Sequence, residues 1–338
     1  MIGFGVKVAG AVATVAAGFF VSLNFTLPPV ETKQTGLRGT GMAQIALPAE
    51  LARLRAANVL PEAQPAAEAS GEKSSSLYEN VQVLGDLDSN EFVRFMTAIT
   101  EWVAPNEGCN YCHEEGNLAS DKLYQKIVAR RMIQMTIDLN TKWKAHVADT
   151  GVTCYTCHRG NPVPANVWFK PEAASRMATH AGDRAGNQNR ANPAVQLASL
   201  PGDPFSPYLL GAAPIRVQPT AALPREHGAS IQATEGTYGL MMHMSAALGV
   251  NCTTCHNTQA FKAWDQAGQT RAVAWHGIRM ARELNTAYLE PLTSQFPPHR
   301  LGTTGDVAKV NCATCHQGAN KPLLGQKMLE DYLAALRP

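Results

Sequence analysis

The eight cysteines of this 338-residue chain are the residues best suited to covalent chemistry, because all of them belong to C-x-x-C-H motifs. The four motifs occupy residues 109–113, 154–158, 252–256 and 312–316 and are called motifs 1 to 4 below. This spacing is the attachment signal for c-type haem, in which two sulfurs form thioethers with the macrocycle and the histidine becomes an axial iron ligand. The attaching residues are predicted to be Cys109, Cys112, Cys154, Cys157, Cys252, Cys255, Cys312 and Cys315, with iron ligands His113, His158, His256 and His316.

Other uses of paired cysteines fit the pattern less well. A zinc site matches C-x-x-C pairs across a short span and gains nothing from a histidine fixed at the next position. Thioredoxin-like chemistry would require one motif in a βαβ context, and no such context is apparent. Because four haems use every cysteine, the sequence also predicts no structural disulfide and no lipidated cysteine anchor.

The sixth ligand of each iron separates an electron carrier from an enzyme, since a methionine or histidine in that position closes the iron to substrates. Methionines on predicted helices precede the first three motifs; they are Met96, Met132 or Met135, and one of Met241, Met242 and Met244. The fourth motif has no close methionine, so His146 and His276 are its main candidates. Spacing alone leaves these choices open.

Helices are the elements predicted to position these ligands. Asp88 and Glu91 resemble a capping box that opens a helix ahead of motif 1. Further helical runs are predicted from Ser120 towards His146 and over residues 234–248, 270–289 and 326–336, whereas strand signals are sparse. The expected fold is therefore a mainly α multihaem cytochrome c built from units of a helix, a turn and a C-x-x-C-H motif.

The spacing of the motifs predicts an internal duplication. The first cysteines of motifs 1 and 2 and those of motifs 3 and 4 lie closer together than the 98 residues between Cys154 and Cys252. Residues 87–160 and 231–338 are predicted to form two-haem halves, joined by the Pro- and Gly-rich segment 161–230. Residues 31–86 are predicted to form an extended leader.

Residues 1–30 are predicted to form a transmembrane anchor. Residues 8–30 carry no charge, and about 20 apolar residues span a bilayer as a helix. The run ends without the small-residue cleavage site of a signal peptide, which favours a retained helix. The remainder of the chain is then expected on the periplasmic side of the inner membrane, held by a single pass.

Composition excludes several classes of protein. The chain is 45% hydrophobic and has a net charge of only +2, so it is neither disordered nor a general polyanion binder, and no nucleic-acid partner is expected. The charges are nevertheless separated, because residues 79–121 carry nine acidic residues and one basic residue, while residues 122–190 carry eleven basic and four acidic ones. We expect the acidic segment around motif 1 to steer a basic soluble cytochrome c.

Several segments around the motifs resemble the tetrahaem cytochrome subunit of the purple-bacterial photosynthetic reaction centre. They are residues 151–160, 240–242, 251–257, 277–280 and 312–318. The likeness runs from about Thr35 to the carboxyl terminus and is weakest in the Pro-rich segment. Many members of that family are anchored by a lipidated cysteine, which this chain lacks, so the departure favours the amino-terminal helix as the anchor.

The resemblance implies three His/Met haems and one bis-His haem in an electron-transfer protein rather than an enzyme. It implies the sixth ligands Met96, Met132, Met241 and His146 for the first, second, third and fourth haems. It further implies that the four haems form a row, and that a soluble cytochrome c or a high-potential iron-sulfur protein donates electrons to this row. The acceptor would be the photo-oxidised bacteriochlorophyll pair of the L and M subunits, with the third haem nearest to it and Arg271 favouring reduced iron there.

Two alternatives share some of these features. A membrane-anchored tetrahaem quinol dehydrogenase, or another respiratory electron carrier, also has one amino-terminal helix and four C-x-x-C-H motifs, but such proteins are typically shorter and rich in bis-His haems. A catalytic multihaem enzyme needs an open iron, and none remains if the four predicted sixth ligands all bind.

Overall fold

The computed structural model describes residues 3–24, 27–35, 42–172, 192–198, 200–217 and 230–337, and within them the chain is mainly helical, as predicted. The α-helices are α1 (Phe4–Asn24), α2 (Pro48–Ala56), α3 (Ser74–Leu77), α4 (Ser89–Val103), α5 (Tyr124–Lys142), α6 (Lys144–Val147), α7 (Cys154–His158), α8 (Ile231–Leu248), α9 (Gln269–Glu283), α10 (Cys312–His316) and α11 (Leu333–Leu336). The strands are β1 (Glu31–Gln34) and β2 (Ala43–Ala46). Shorter 3₁₀ and π turns join them.

The helices that precede motifs 1 and 3 begin and end where local signals place them. Asp88 caps α4 by accepting hydrogen bonds from the backbone N–H groups of Asn90 and Glu91, although the Glu91 carboxylate pairs with Arg94 rather than completing a capping box. Helix α8 ends at Gly249, whose φ of +61° is the left-handed conformation that glycine adopts most readily.

Two predicted helices are interrupted. The run towards His146 breaks at Trp143, where ψ is 28°, so His146 lies on the separate short helix α6. The run over residues 270–289 leaves α-helical geometry after Glu283 and continues as a π-helical turn, Leu284–Leu289. The backbone stays in right-handed helical φ and ψ at Glu283 and Leu284, so the second break changes the hydrogen-bond register and not the helical path.

The leader contains more structure than the sequence indicated. Strands β1 and β2 pair antiparallel, with Glu31 opposite Ala46 and Gln34 opposite Ala43. Helices α2 and α3 follow, so the segment is not extended throughout. The strands are four residues long and β1 is exposed along its length, which explains why no alternating apolar pattern revealed them.

The first hydrophobic core joins α4 to the end of the chain. Phe95 and Trp102 of α4 are buried against Tyr332 and Leu336, and the Trp102 and Tyr332 rings meet edge to face with centroids 4.8 Å apart. The terminal helix α11 also packs on α5. Residues from the end of the chain therefore complete the core beside motifs 1 and 2.

The second core lies between α8 and α9. Leu240 and Ile278 from these helices pack with Phe205, Tyr208 and Leu209 from the connecting segment. The described part of the Pro-rich segment thus contributes buried residues, whereas residues 173–191, 199 and 218–229 of that predicted segment lie outside the described part of the chain.

Helix α1 is the one described helix that is long and apolar enough to cross a membrane. It spans Phe4–Asn24, none of its residues is buried against the rest of the protein, and Lys7 is its single charged residue. These properties fit a membrane anchor at the amino terminus, as predicted.

Candidate haem centres

The four motifs adopt two local structures. Motifs 2 and 4 are the short helices α7 and α10, each opened by a capping box, from Thr153 and Asn311 respectively. Each of these helices ends at a residue with a left-handed backbone, Arg159 or Gln317. Motifs 1 and 3 instead form 3₁₀ turns over Gly108–Tyr111 and Cys252–Thr254.

The histidine of every motif is held in the same way. In each, Nδ1 lies within hydrogen-bond distance of a backbone carbonyl, and because a carbonyl only accepts, Nδ1 must carry the proton. The pairs are His113 with Leu118 at 2.9 Å, His158 with Asn161 at 2.8 Å, His256 with Phe261 at 3.1 Å and His316 with Ala319 at 2.9 Å. In the neutral imidazole this arrangement leaves Nε2 without a proton, which is how metal-ligating histidines are usually oriented.

Burial keeps three of these imidazoles neutral. Desolvation lowers the pKa of His316 to about 4 and also lowers the pKa of His158 and His256 below the usual value. Since only neutral imidazole can bind iron, burial favours the ligating form at neutral pH.

His146 lies opposite His316. Their ring centroids are 5.9 Å apart, and both rings line a cavity of about 320 Å³. A metal-bound imidazole nitrogen lies about 2 Å from its metal, so two imidazoles on opposite sides of one iron have ring centres roughly 6 Å apart. His146 Nδ1 also donates to a backbone carbonyl, that of Val273, at 3.0 Å, which leaves its Nε2 free as well.

The competing histidine, His276, does not have this geometry. Its ring packs edge to face on Trp275, with centroids 4.9 Å apart. Among the described residues, the ring of His146 is therefore the one of the two candidates that contacts the ring of His316.

Gly277 of α9 makes room for His146. A Cβ atom built on Gly277 would lie 2.5 Å from Cε1 and 2.8 Å from Nδ1 of the His146 ring. Real Cβ atoms essentially never come so close to ring atoms, so any side chain at this position would displace the ring. Helix α9 supplies both the space and, through Val273, the hydrogen-bond acceptor that orients His146.

The predicted methionine ligands lie on the predicted helices and are half-buried. Met96 packs at the edge of the first core on α4, the helix that contacts both the motif 1 turn and α7. Met132 lies on α5, and Met241 packs in the second core on α8. Met244, also on α8, lines the same cavity as His146. Met244 therefore stays an alternative to Met241 as the sixth ligand for motif 3.

Cys157 and Cys315 lie close enough to pair as a disulfide, a contact that the sequence analysis did not predict. Helices α7 and α10 pack together and bring the two Cα atoms to 4.5 Å. A sulfur cannot form a disulfide and a thioether at once, so a disulfide between these two residues and haem attachment at them exclude each other. The other six cysteines are free thiols suited to thioether formation.

Two backbone hydrogen bonds tie motifs 2 and 4 to the helices that precede motifs 1 and 3. Gly160, after motif 2, donates to the Trp102 carbonyl of α4 at 2.8 Å, and Gly318, after motif 4, donates to the Ala247 carbonyl of α8 at 2.8 Å. With α7 packed on α10, the order of neighbours is motif 1, motif 2, motif 4 and motif 3.

The hairpin that follows α1 is attached to motif 3. The Asn251 side chain donates to the Ala43 carbonyl at 2.8 Å, and its backbone N–H donates to the Gln44 side chain at 2.7 Å. Thr35 and Thr253 share a hydroxyl hydrogen bond of 2.5 Å. Motif 3 is therefore tied to the segment that leads from the apolar helix.

The acidic segment around motif 1 is less negative than its sequence suggests. Its carboxylates pair with cations that lie mostly outside the segment; the pairs are Asp86 with Lys73, Glu114 with Lys122, and Asp121 with Lys126 and Arg130. Within the described residues, the exposed carboxylates without an ion pair include those of Glu79, Glu107 and Glu115.

Arg271 lies beside motif 3. Its guanidinium stacks over the Trp264 ring at 4.3 Å and donates to the Ala263 carbonyl at 2.8 Å. After burial, the charge of Arg271 further lowers the pKa of His256, so its field reaches the predicted iron ligand.

Lys126 is a residue of this region that sequence reasoning missed. Its side chain is only 9% exposed, and its Nζ binds the loop that follows motif 1. A lysine in an otherwise amphipathic helix carries no signal of burial, so the sequence offered no means of finding it.

Comparison with known proteins shows which family this sequence resembles. A family model described as photosynthetic reaction centre cytochrome C subunit matches residues 26–335. Proteins named photosynthetic reaction center cytochrome c subunit are 56% identical in Rubrivivax gelatinosus, over 90% of this chain and 83% of the relative, and 48% identical in Thermochromatium tepidum, over 90% and 75%. A third, from Roseobacter denitrificans, is 42% identical over 97% of this chain and 90% of the relative.

Proposed function

This chain belongs to the family of photosynthetic reaction centre cytochrome c subunits, and we propose that its four motifs hold four haems that relay electrons to the photo-oxidised bacteriochlorophyll pair. The family is one of electron-transfer subunits with covalently bound haem c, so the respiratory quinol dehydrogenase alternative is not favoured. Bound haem iron supplies reversible one-electron chemistry, and the protein supplies its ligands and surroundings.

The observation that carries this proposal is the orientation of five histidines. His113, His158, His256, His316 and His146 each donate from Nδ1 to a backbone carbonyl and leave Nε2 free. Histidines that merely fill a core have no reason to share one orientation, whereas iron ligands do.

The proposed ligand set contains three His/Met centres and one bis-His centre. Met96, Met132 and Met241 are the proposed sixth ligands for motifs 1, 2 and 3, and His146 is the sixth ligand for motif 4. The spacing of His146 and His316 supports the bis-His assignment. Because methionine ligation raises the potential of a haem relative to histidine, the fourth haem should have the lowest potential unless its surroundings compensate.

The cysteines of all four motifs are proposed to form thioethers in the mature protein, including Cys157 and Cys315. Thioether formation adds a thiol across a vinyl group without net oxidation, so any disulfide formed between these two residues must first be reduced by a dithiol. Because Cys157 and Cys315 lie next to each other, the second and fourth haems are proposed to lie close together.

The proposed row of centres follows the order of motifs 1, 2, 4 and 3, with motif 3 at the membrane end. This order is supported by the packing of α7 on α10 and by the two glycine hydrogen bonds described above. The membrane end is supported by the attachment of the hairpin to Asn251, since Thr35 is only 11 positions after Asn24, at the end of α1.

The two-haem halves, residues 87–160 and 231–338, are proposed to be copies of one unit. In each, a 3₁₀ motif is followed by a helical motif. The helical motif ends in a left-handed residue, and the glycine after it donates to the long helix that precedes the first motif of that half. Residues 161–230 join the copies, residues 31–86 form the leader, and residues 1–30 contain the anchor.

The proposed location is the periplasmic face of the inner membrane, held by the single span of α1. The apolar helix at the amino terminus and the family's association with a membrane complex support this proposal. The proposed partners are the L and M subunits at the motif 3 end, where Arg271 favours reduced iron, and a soluble cytochrome c or a high-potential iron-sulfur protein at the motif 1 end.

Two measurements on the protein purified from its native membrane test this function: the number of covalent haems per chain, and the binding of carbon monoxide to the reduced protein. We expect four covalent haems per chain, and no carbon monoxide binding to the native reduced protein, because every iron has two protein ligands. Fewer than four haems, or one iron that binds carbon monoxide, would contradict the ligand set and revive the reading of a catalytic multihaem enzyme.

A further inference from the structure

Lys126 is a buried cation beside motif 1 with an unusually complete set of acceptors. Its Nζ donates to three consecutive carbonyls, those of Leu118 and Ala119 at 2.8 Å and that of Ser120 at 3.0 Å. An ammonium group has three N–H donors, so all of them find carbonyl oxygens. Burying a charged group costs free energy unless its donors form hydrogen bonds, and all three N–H donors of Lys126 form them.

One of these carbonyls also holds the predicted iron ligand. The Leu118 carbonyl accepts from His113 Nδ1 at 2.9 Å and from Lys126 Nζ at 2.8 Å. A carbonyl oxygen has two lone pairs, so both hydrogen bonds can form together. The lysine therefore acts on the hydrogen bond that orients His113 and sets how strongly its imidazole donates to a metal.

The ion-paired group that contains Lys126 carries a net positive charge, although the surrounding segment is acidic. The Asp121 carboxylate lies 3.3 Å from Lys126 Nζ and 2.9 Å from the Arg130 guanidinium. Two cations therefore share one anion, while the nearby Lys122 and Glu114 cancel each other in a separate pair. The Lys126 side chain is 9% exposed and that of Arg130 is 15% exposed, so solvent screens this excess charge less than it would at the surface.

We propose that Lys126 tunes the first haem, raising its reduction potential through the shared Leu118 carbonyl. This inference rests on the proposed role of His113 as an iron ligand. A cation on the carbonyl oxygen weakens its acceptance of the His113 proton, so the imidazole donates less charge to ferric iron. The positive charge also directly favours the reduced, less positive iron, and both effects have the same sign.

Within the part of the chain that the structure describes, the other three motifs have no lysine or arginine bound to the carbonyl that holds their histidine. The carbonyls that hold their histidines belong to Asn161, Phe261 and Ala319, and none of these receives a hydrogen bond from a lysine or arginine there. Tuning by Lys126 should therefore act on one haem only, which leaves the other three as internal references.

A redox titration of the full haem-loaded protein tests the proposal. Lys126→Met removes the charge and the donors, Lys126→Gln removes the charge but keeps a donor, and Lys126→Arg keeps the charge. Met96→His identifies the first haem, because a change from methionine to histidine ligation lowers its potential. We expect Lys126→Met and Lys126→Gln to make reduction of that haem about tenfold less favourable, or ~59 mV for one electron.

The outcomes separate tuning from a purely structural role. The other three haems should keep their potentials in all three Lys126 variants, and Lys126→Arg should keep the potential of the first haem near the wild-type value. If Lys126→Met and Lys126→Gln lower the melting temperature but move no potential, the lysine only supports the loop and the proposal is wrong. If Met96→His moves no potential, the ligand assignment of the proposed function fails instead.

Discussion

Gly277 has no side chain, and the His146 ring occupies the space that one would fill. We expect Gly277→Ala to displace His146 from the fourth iron, because its new Cβ would overlap the ring. One haem of the four should then bind carbon monoxide and lose its bis-His electron paramagnetic resonance signal.

A matched substitution provides the control for Gly277. In Gly239→Ala on α8, the added Cβ would meet its nearest neighbours, Val195 and Pro204, at 3.4 and 3.5 Å, which are ordinary contacts. This variant should keep all four haems closed to carbon monoxide. An unchanged bis-His signal in Gly277→Ala would show that His146 is not held against α9 in this way.

The contact between Cys157 and Cys315 makes a prediction about the chain before haem attachment. In haem-free protein exported to the periplasm, these two thiols should lose two protons and two electrons to a disulfide oxidoreductase and form a bond across the two halves. Non-reducing peptide mass spectrometry should find this cross-link in the haem-free chain and not in the haem-loaded protein.

The neighbouring cysteines are the internal control for that cross-link. Burial raises the pKa of Cys154 and Cys312 to about 12, so their thiols stay protonated and react slowly. Disulfides within the motifs, between Cys154 and Cys157 or between Cys312 and Cys315, would contradict the packing of α7 on α10.

Helix α5 is fastened to the loop after motif 1 by Asp121. Hydrogen bonds from Arg130, and also from Asn80 and Lys126, lower the pKa of Asp121 to about 2 despite the opposing effect of desolvation. A lowered pKa in the folded state means that the carboxylate stabilises the fold above the unfolded pKa of about 4. This stabilisation is lost as the pH falls from about 4 to about 2.

We therefore expect Asp121→Asn to lower the melting temperature at neutral pH and to match the wild type near pH 2. The measurement is the melting temperature of the two haem-loaded proteins across that pH range. Glu115→Gln is the control, since Glu115 is exposed and has no ion pair among the described residues, and it should change little at any pH. A difference for Asp121→Asn that persists undiminished to pH 2 would contradict the assignment.

The elements around the motifs were predictable to the extent that their signals are local. The cap at Asp88, the stop at Gly249 and the cysteine spacing all act within a few residues, and the corresponding elements are present. The break at Trp143 and the β1–β2 hairpin depend on distant partners, such as the contact of Ala43 with Asn251, and no short segment encodes them.

The candidate site divides in the same way. Spacing predicts the four motif histidines as ligands, whereas the proposal of His146 over His276 rests on how α6 packs against α9, which is a property of the folded chain. The burial of Lys126 and the approach of Cys157 to Cys315 are likewise tertiary features, so the sequence did not indicate them.

Across the whole molecule, folding brings cations from other segments next to carboxylates of the acidic segment, residues 79–121. Cations from neighbouring segments pair with Asp86, Glu114 and Asp121, so a donor at the motif 1 end would meet chiefly Glu79, Glu107 and Glu115. Surface charges of this kind are screened by salt. If a basic cytochrome c is the donor, the rate of haem reduction should fall as ionic strength rises.

Charge-neutralising variants make that measurement specific. Glu107→Gln with Glu115→Gln should weaken the salt dependence, whereas Glu50→Gln, in the leader, should not alter it. A reduction rate that stays flat with ionic strength would mean that charge steering does not operate at this surface.

The central claim is that this chain passes electrons to the bacteriochlorophyll pair, and flash spectroscopy of the complex in native membranes tests it most directly. After a single flash with the haems reduced, we predict that the photo-oxidised pair is re-reduced as one haem becomes oxidised, with the third haem as the immediate donor. Haems that co-purify with bacteriochlorophyll but remain reduced after the flash would contradict the account.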